Sequence, residues 1–283
     1  MSTPLAIGAI AALAAAAQLS KRGSRSVQLS DRDIQDIEKA AKVYDGFLRD
    51  MLVREGYAKA GEPGLYSVDV YKLDDWMHRC TPEGWCFDIA DIYYMGDRIE
   101  ELMHEQGIEW VGAGGYRYAI KLPDSGMVAK LPMHSEGADG IEQEVHSWVN
   151  AKPFPELRRH LLPVVSTGRV RTRRDQDKTI PFLVMPMAIP LVETSSSRIK
   201  PGESERLVHA LQMAGLSGSS ARAEVASFWE AVTTFQQPRP LDGHWAQFDP
   251  RRNPRVVLCE PDLHFGNLAV YDGRLVLLDY QCY

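Results

Sequence analysis

Three short segments carry residue types at spacings that can do chemistry together. The first is Val111-Gly112-Ala113-Gly114-Gly115-Tyr116-Arg117-Tyr118-Ala119. Glycines between two strand-like runs let the backbone approach a polyphosphate, and free N–H groups there can bind its oxygens. A tight hairpin with no ligand uses the same residues, so this segment alone decides nothing. The second is Val128-Ala129-Lys130 on the next strand, followed by Glu142 and Glu144 on a helix. A strand lysine beside a glycine-rich hairpin can pair with nucleotide phosphates, and a glutamate on the packed helix can hold it in place. Both glutamates flank the apolar stripe of that helix. Glu144, one residue before Val145 and four before Trp148, is the preferred partner. Taken singly, each of these charges would be a surface ion pair of little energetic weight. The third segment is Glu260-Pro261-Asp262-Leu263-His264-Phe265-Gly266-Asn267, then Leu275-Val276-Leu277-Leu278-Asp279. Asp262 and Asn267, five apart in a loop, can serve as base and magnesium ligand, and the returning strand can deliver Asp279 to the same metal. A carboxylate ending an all-apolar strand is costly unless paired, which favours a functional role over a turn or cap.

The elements that must position these residues follow from periodicity. Residues 31–60 predict a helix: Ser30 or Asp31 can cap it, and Ile34, Ile37, Ala41, Tyr44, Leu48 and Met51 recur at three- and four-residue steps. A second helix is expected over Ile89–Glu105, closed by Gly107. From Ile108 the period changes to short strands at Ile108–Val111, Tyr116–Leu122 and Met127–Leu131, the last two joined by Pro123-Asp124-Ser125-Gly126. A helix over Asp139–Ala151 follows, then strands at Leu161–Val170 and Ile180–Met187 around the basic loop Arg171–Arg174. Helices at Glu205–Met213 and Ala221–Gln236 precede a terminal pair, Leu268–Tyr271 and Leu275–Leu278, turned by Asp272-Gly273.

Bulk composition narrows the class. With 283 residues, 45% hydrophobic and 25% charged, the chain can bury a sizeable core without staples. A net charge of -6 gives no general pull toward nucleic acid or anionic membrane; only Arg171–Arg174 and Arg251-Arg252 speak for a nucleic-acid partner. Four cysteines are no disulfide framework, and His78, Cys80 and Cys86 lack a zinc spacing and a fourth ligand. Buried or idle thiols are the better reading. Pro4–Leu19 is an Ala-rich apolar run followed by Lys21, Arg22 and Arg25. It lacks the leading positive charge of a secretory signal and is short for a spanning helix. A packed or self-associating helix, or a loose terminus, is preferred to a membrane anchor, and the expected location is cytoplasmic.

The order of these parts resembles the protein-kinase-like superfamily: Gly-rich hairpin, strand Lys, helix Glu, two further strands, Asp-x-x-x-x-Asn loop, strand pair, Asp. Asp262-Leu263-His264-x-x-Asn267 is most similar to the aminoglycoside and choline phosphotransferase branch, and the layout also resembles short kinase-like proteins of tailed bacteriophages. The resemblance covers about 170 residues, leaving the first 105 unexplained. It implies a two-lobed α+β protein-kinase-like fold. The regions would be an apolar-then-basic segment (1–30), a helical extension (31–105), an N-lobe (106–190) and a minimal C-lobe (191–283). It implies ATP under the Gly112, Gly114 and Gly115 hairpin, with Ala119, Val128, Met185 and Met187 around the nucleotide. Lys130 would hold the phosphates, Glu144 would position Lys130, Asn267 and Asp279 would bind magnesium, and Asp262 would take the acceptor's proton. The phosphate acceptor, a hydroxyl of a small molecule or protein, is not named by the sequence. Two departures stand out: Arg117 occupies the family's third glycine position, and only Tyr280–Tyr283 follow Asp279. Some of residues 31–105 are therefore expected to pack against residues 221–283, unless a partner protein or a second copy covers that lobe. A pseudokinase or structural protein using the fold as a binding scaffold is the rival reading.

Overall fold

The computed structural model describes residues 28–54, 98–114, 117–133, 135–171, 179–191, 199–235, 258 and 263–280. The run Pro4–Leu19, the His78–Cys86 cluster, the tips of both basic loops, Gly115 and Asp262 lie outside them. The described chain is a mixture of helices and antiparallel sheet, divided into two compact units.

One unit comprises Val27–Glu142 and Val165–Met185. Its sheet is antiparallel in the order β1-β2-β3-β5-β4, with β1 Glu109–Ala113, β2 Arg117–Lys121, β3 Val128–Pro132, β4 Ser166–Arg171 and β5 Thr179–Met185. Strand alternation sorts the side chains into two faces. Tyr118, Ile120, Ala129, Leu131, Val170, Ile180, Phe182 and Val184 form one face of a single core. That core is completed by α1 (Asp31–Arg54), through Ile37, Ala40, Ala41 and Tyr44, and by the helical residues 98–105 (α2), through Ile99 and Met103. Tyr118 stacks between Tyr44 and Trp110, with ring centroids 4.7 and 5.6 Å away.

The predicted caps are made. Ser30 Oγ accepts from the Asp33 N–H (3.0 Å), while the Asp33 carboxylate accepts from the Ser30 N–H (3.4 Å) and from the Asp124 N–H (3.2 Å). The start of α1 is thus tied to the β2–β3 turn. Gly107, at φ 71, ends α2, and the Ile108 N–H donates to the Met103 carbonyl (2.9 Å). Lys39 donates to the Gln106 carbonyl, fastening the two helices together. The apolar stripes of α1 and α2 are therefore buried on this sheet. Residues 55–97 lie outside the described residues; an amphipathic helix specifies that a face is buried, not against what.

Among the described residues the other unit holds Gln143–Val164 and Pro186–Tyr283. Helix α3 (Ser135–Asn150) is shared, with residues up to Glu142 belonging to the first unit. Then come α4 (Pro155–Arg158), α5 (Ser204–Met213) and α6 (Gly218–Phe235), and a three-stranded sheet in the order β6-β7-β8. Its strands are Ile189–Pro190, Leu268–Tyr271 and Arg274–Leu277. Leu268, Ala269, Val270, Leu275, Val276 and Leu277 are all buried, which explains an apolar run without alternation. Asp272 (φ 51) and Gly273 (φ 71) make the hairpin turn, both at the positive φ that a two-residue connection requires. No described helix is long and apolar enough to cross a membrane.

Candidate functional site

On the five-stranded sheet, residues paired in register share a face. Gly112 pairs with Ala119, Ala119 with Lys130, and Lys130 with Leu183. The next row is Glu109, Lys121, Val128 and Met185. Both rows lie on the face opposite Tyr118, Ile120 and Ala129, hence opposite α1. The sheet thus gathers Gly112, Ala119, Val128, Lys130 and Met185 from four strands. Lys130 is half-buried at the centre of this face. The hairpin above is closed by the Gly114 N–H donating to the Arg117 carbonyl (2.8 Å). A Cβ added at Gly112 or Gly114 would meet nothing within 4 Å. Space beside the backbone is open there, as a phosphate cradle requires.

Arg117 pairs with Pro132, one row beyond Lys130, and is buried on the same face. This puts a second cation on the face of Lys130. Glu142 is exposed and its carboxylate accepts from Arg169 (2.8 Å), a residue paired in register with Pro181. Glu142 is therefore committed to β4, while Glu144 is fully buried. Glu144 falls within the other unit, and Lys130 within the sheet unit. Met187 follows β5, half-buried, in the connection to β6.

In the second unit, Asn267 and Asp279 stand at the same end of the β7–β8 hairpin. The Leu278 N–H donates to the Asn267 carbonyl (2.9 Å), extending the β7–β8 ladder one pair beyond Leu268 and Leu277. Asn267 and Asp279 consequently stand at one end of the hairpin, a residue apart in register. Phe265–Asn267 forms a single turn capped by His264, whose Nδ1 accepts from the Gly266 N–H (3.1 Å). A Cβ on Gly266 would lie 2.9 Å from that ring, so this turn needs glycine there. The two side chains offer hard oxygens, which suits magnesium, a metal that keeps several waters and phosphate oxygens as its other ligands. Among the described residues no group of three or more His, Cys, Asp or Glu could hold a metal.

Tyr280, next to Asp279, is buried, and its hydroxyl donates to the Leu162 carbonyl (2.8 Å). Burial pushes its phenol well above the usual range, and the nearby Glu144 and Asp279 carboxylates add to the shift. Tyr280 is a neutral donor, and both carboxylates lie in its neighbourhood. The strand leading to Asp279 is held on its outer side by residues that periodicity does not single out. The Leu275 N–H donates to Glu224 (3.2 Å), and His160 Nδ1 bonds the Leu275 carbonyl (2.8 Å). Arg159 donates to Glu224 (2.7 Å), and His160 Nε2 meets Ser227 Oγ (2.9 Å). The one sequence signal was Glu224 itself, a carboxylate inside the apolar stripe Ala221, Val225, Phe228 of α6.

No protein-family model matches the sequence, and no curated protein matches it.

Proposed function

We propose that the chain is a two-lobed protein-kinase-like phosphotransferase that uses ATP and magnesium to phosphorylate a hydroxyl of a small molecule or protein. The observation that carries this reading is the sheet row Gly112, Ala119, Lys130, flanked by Val128 and Met185 on the same face. Apolar Ala119, Val128 and Met185 beside Lys130, beneath an open glycine hairpin, suit an adenine nucleotide whose phosphates need a cation. The Asn267–Asp279 hairpin end supplies the second requirement, oxygen ligands for a divalent ion. Bound there, magnesium would neutralise charge on the phosphates. Lys130 binds phosphate oxygens, and Glu144 orients Lys130. Asp262 accepts the acceptor's proton as its oxygen bonds the γ-phosphorus and the bond to ADP breaks. Holding the reactants in line and neutralising charge supply most of the rate.

The rival reading, a non-catalytic scaffold of the same fold, draws on Arg117, whose buried side chain fills the position of the family's third glycine. Thermal denaturation with ATP and magnesium separates the two. A metal-dependent rise in Tm that Asp279→Asn loses supports the enzyme, and no rise in the parent supports the scaffold.

A further inference from the structure

An open surface pocket of about 290 Å³ is lined by Trp148, Leu161 and Tyr271 and edged by Arg158, Arg159 and Arg274. Its size is near the lower end for small-molecule sites, so it suits a compact ligand. The three arginines are not equivalent. Arg159 is neutralised by Glu224 at 2.7 Å. Arg274 meets only Asp272, at 4.0 Å, with both side chains about half exposed. The Arg158 guanidinium carbon lies over the Trp148 ring, 4.1 Å from its centroid, and among the described residues no carboxylate or hydrogen-bond acceptor engages it. A guanidinium over a ring keeps its in-plane N–H fork free to take a carboxylate or phosphate in two parallel bonds. The surplus is about one positive charge against apolar walls.

We infer that this cavity, formed by α3, α4 and the β7–β8 turn, binds a small organic oxyanion, a carboxylate or phosphate ester on a compact apolar body, with Arg158 as its principal ligand. The inference is independent of the phosphotransfer reading, because none of its residues serves the nucleotide or metal positions.

The test is calorimetry on the full chain with benzoate, phenyl phosphate and inorganic phosphate as probes. At least one organic anion should bind more tightly than inorganic phosphate, and the tighter one identifies the head group. Arg158→Leu should weaken it by about tenfold or more, and Arg158→Lys should recover little, since the fork and the stack are both lost. Arg274→Gln, at an exposed strand end, tests the same point without threatening the fold. Asp272→Asn should tighten binding, because asparagine keeps the turn while removing a carboxylate from the cavity edge. Lys130→Met should leave binding intact. The inference is overturned if no probe binds, if inorganic phosphate binds as well as both organic anions, or if Arg158 and Arg274 variants bind like the parent. Loss of binding in Lys130→Met would overturn it too, by moving the anion to the sheet.

Discussion

Removing the Glu224 carboxylate should loosen β8, the strand that carries Asp279, more than any substitution of comparable size on α6. Glu224 is buried and accepts from the Leu275 N–H and from Arg159. In Glu224→Ala the Leu275 donor loses its acceptor inside the protein, which costs about 1–3 kcal/mol. Arg159 is partly exposed and recovers water, so its lost ion pair adds about 1 kcal/mol or less. The sum is about 1–4 kcal/mol, and at about 3 °C per kcal/mol for a chain of this size Tm should fall by about 3–12 °C. Glu224→Gln keeps an oxygen for Leu275 and should lose only the smaller ionic part. Thermal scans of the three proteins measure the difference. Amide exchange at Leu275 should accelerate in the Ala variant beyond what global destabilisation explains. Equal losses for Ala and Gln, or an unchanged Leu275 amide, would refute the reasoning.

Gly168 lies across from Phe182, whose ring would stand 2.6 Å from an added Cβ. Gly168→Ala should therefore destabilise by about 1–3 kcal/mol, read as a lowered denaturant midpoint. Gly114→Ala meets no neighbour, so it should shift stability by less than about 0.5 kcal/mol while weakening nucleotide binding, a split that separate melting and binding measurements detect. Burial lowers the His160 pKa, against the smaller opposing effects of the Leu275 carbonyl and Glu224. Because the unfolded chain takes up that proton first, stability is complete above about pH 6.5 and falls as pH drops below it. The loss from pH 7 to pH 5, followed by urea titration, should shrink in His160→Gln.

Much of the sheet unit was legible because its side chains obey a local rule. Alternation across Tyr118–Leu122 and Met127–Leu131 separates the core face from the face of Lys130, and the Pro123–Gly126 and Asp272-Gly273 turns have chemistry specific to hairpins. The strand boundaries differ by a residue or two from expectation, except that the segment from Leu161 begins as an isolated bridge to Leu277 and becomes strand only at Ser166. Pro163 interrupts it, lacking the N–H a ladder needs. Glu142 and Glu144 could be distinguished only by their surroundings. Arg169, which engages Glu142, lies 27 residues further along the chain. His160 was invisible for the same reason: its backbone partner Leu275 is 115 residues away. The partner of the α1 stripe was not legible, because helical amphipathicity is silent about which surface accepts it.

The central claim is that Lys130 takes nucleotide phosphate and Asp279 takes the metal that accompanies it. Calorimetric titration of ADP into the parent, Lys130→Met and Asp279→Asn, each with magnesium and with chelator, tests both halves at once. The parent should bind more tightly with magnesium. Asp279→Asn should keep the metal-free affinity and lose the enhancement, and Lys130→Met should bind weakly in either condition. Parent-like binding in both variants, or no binding by the parent at all, would contradict the claim.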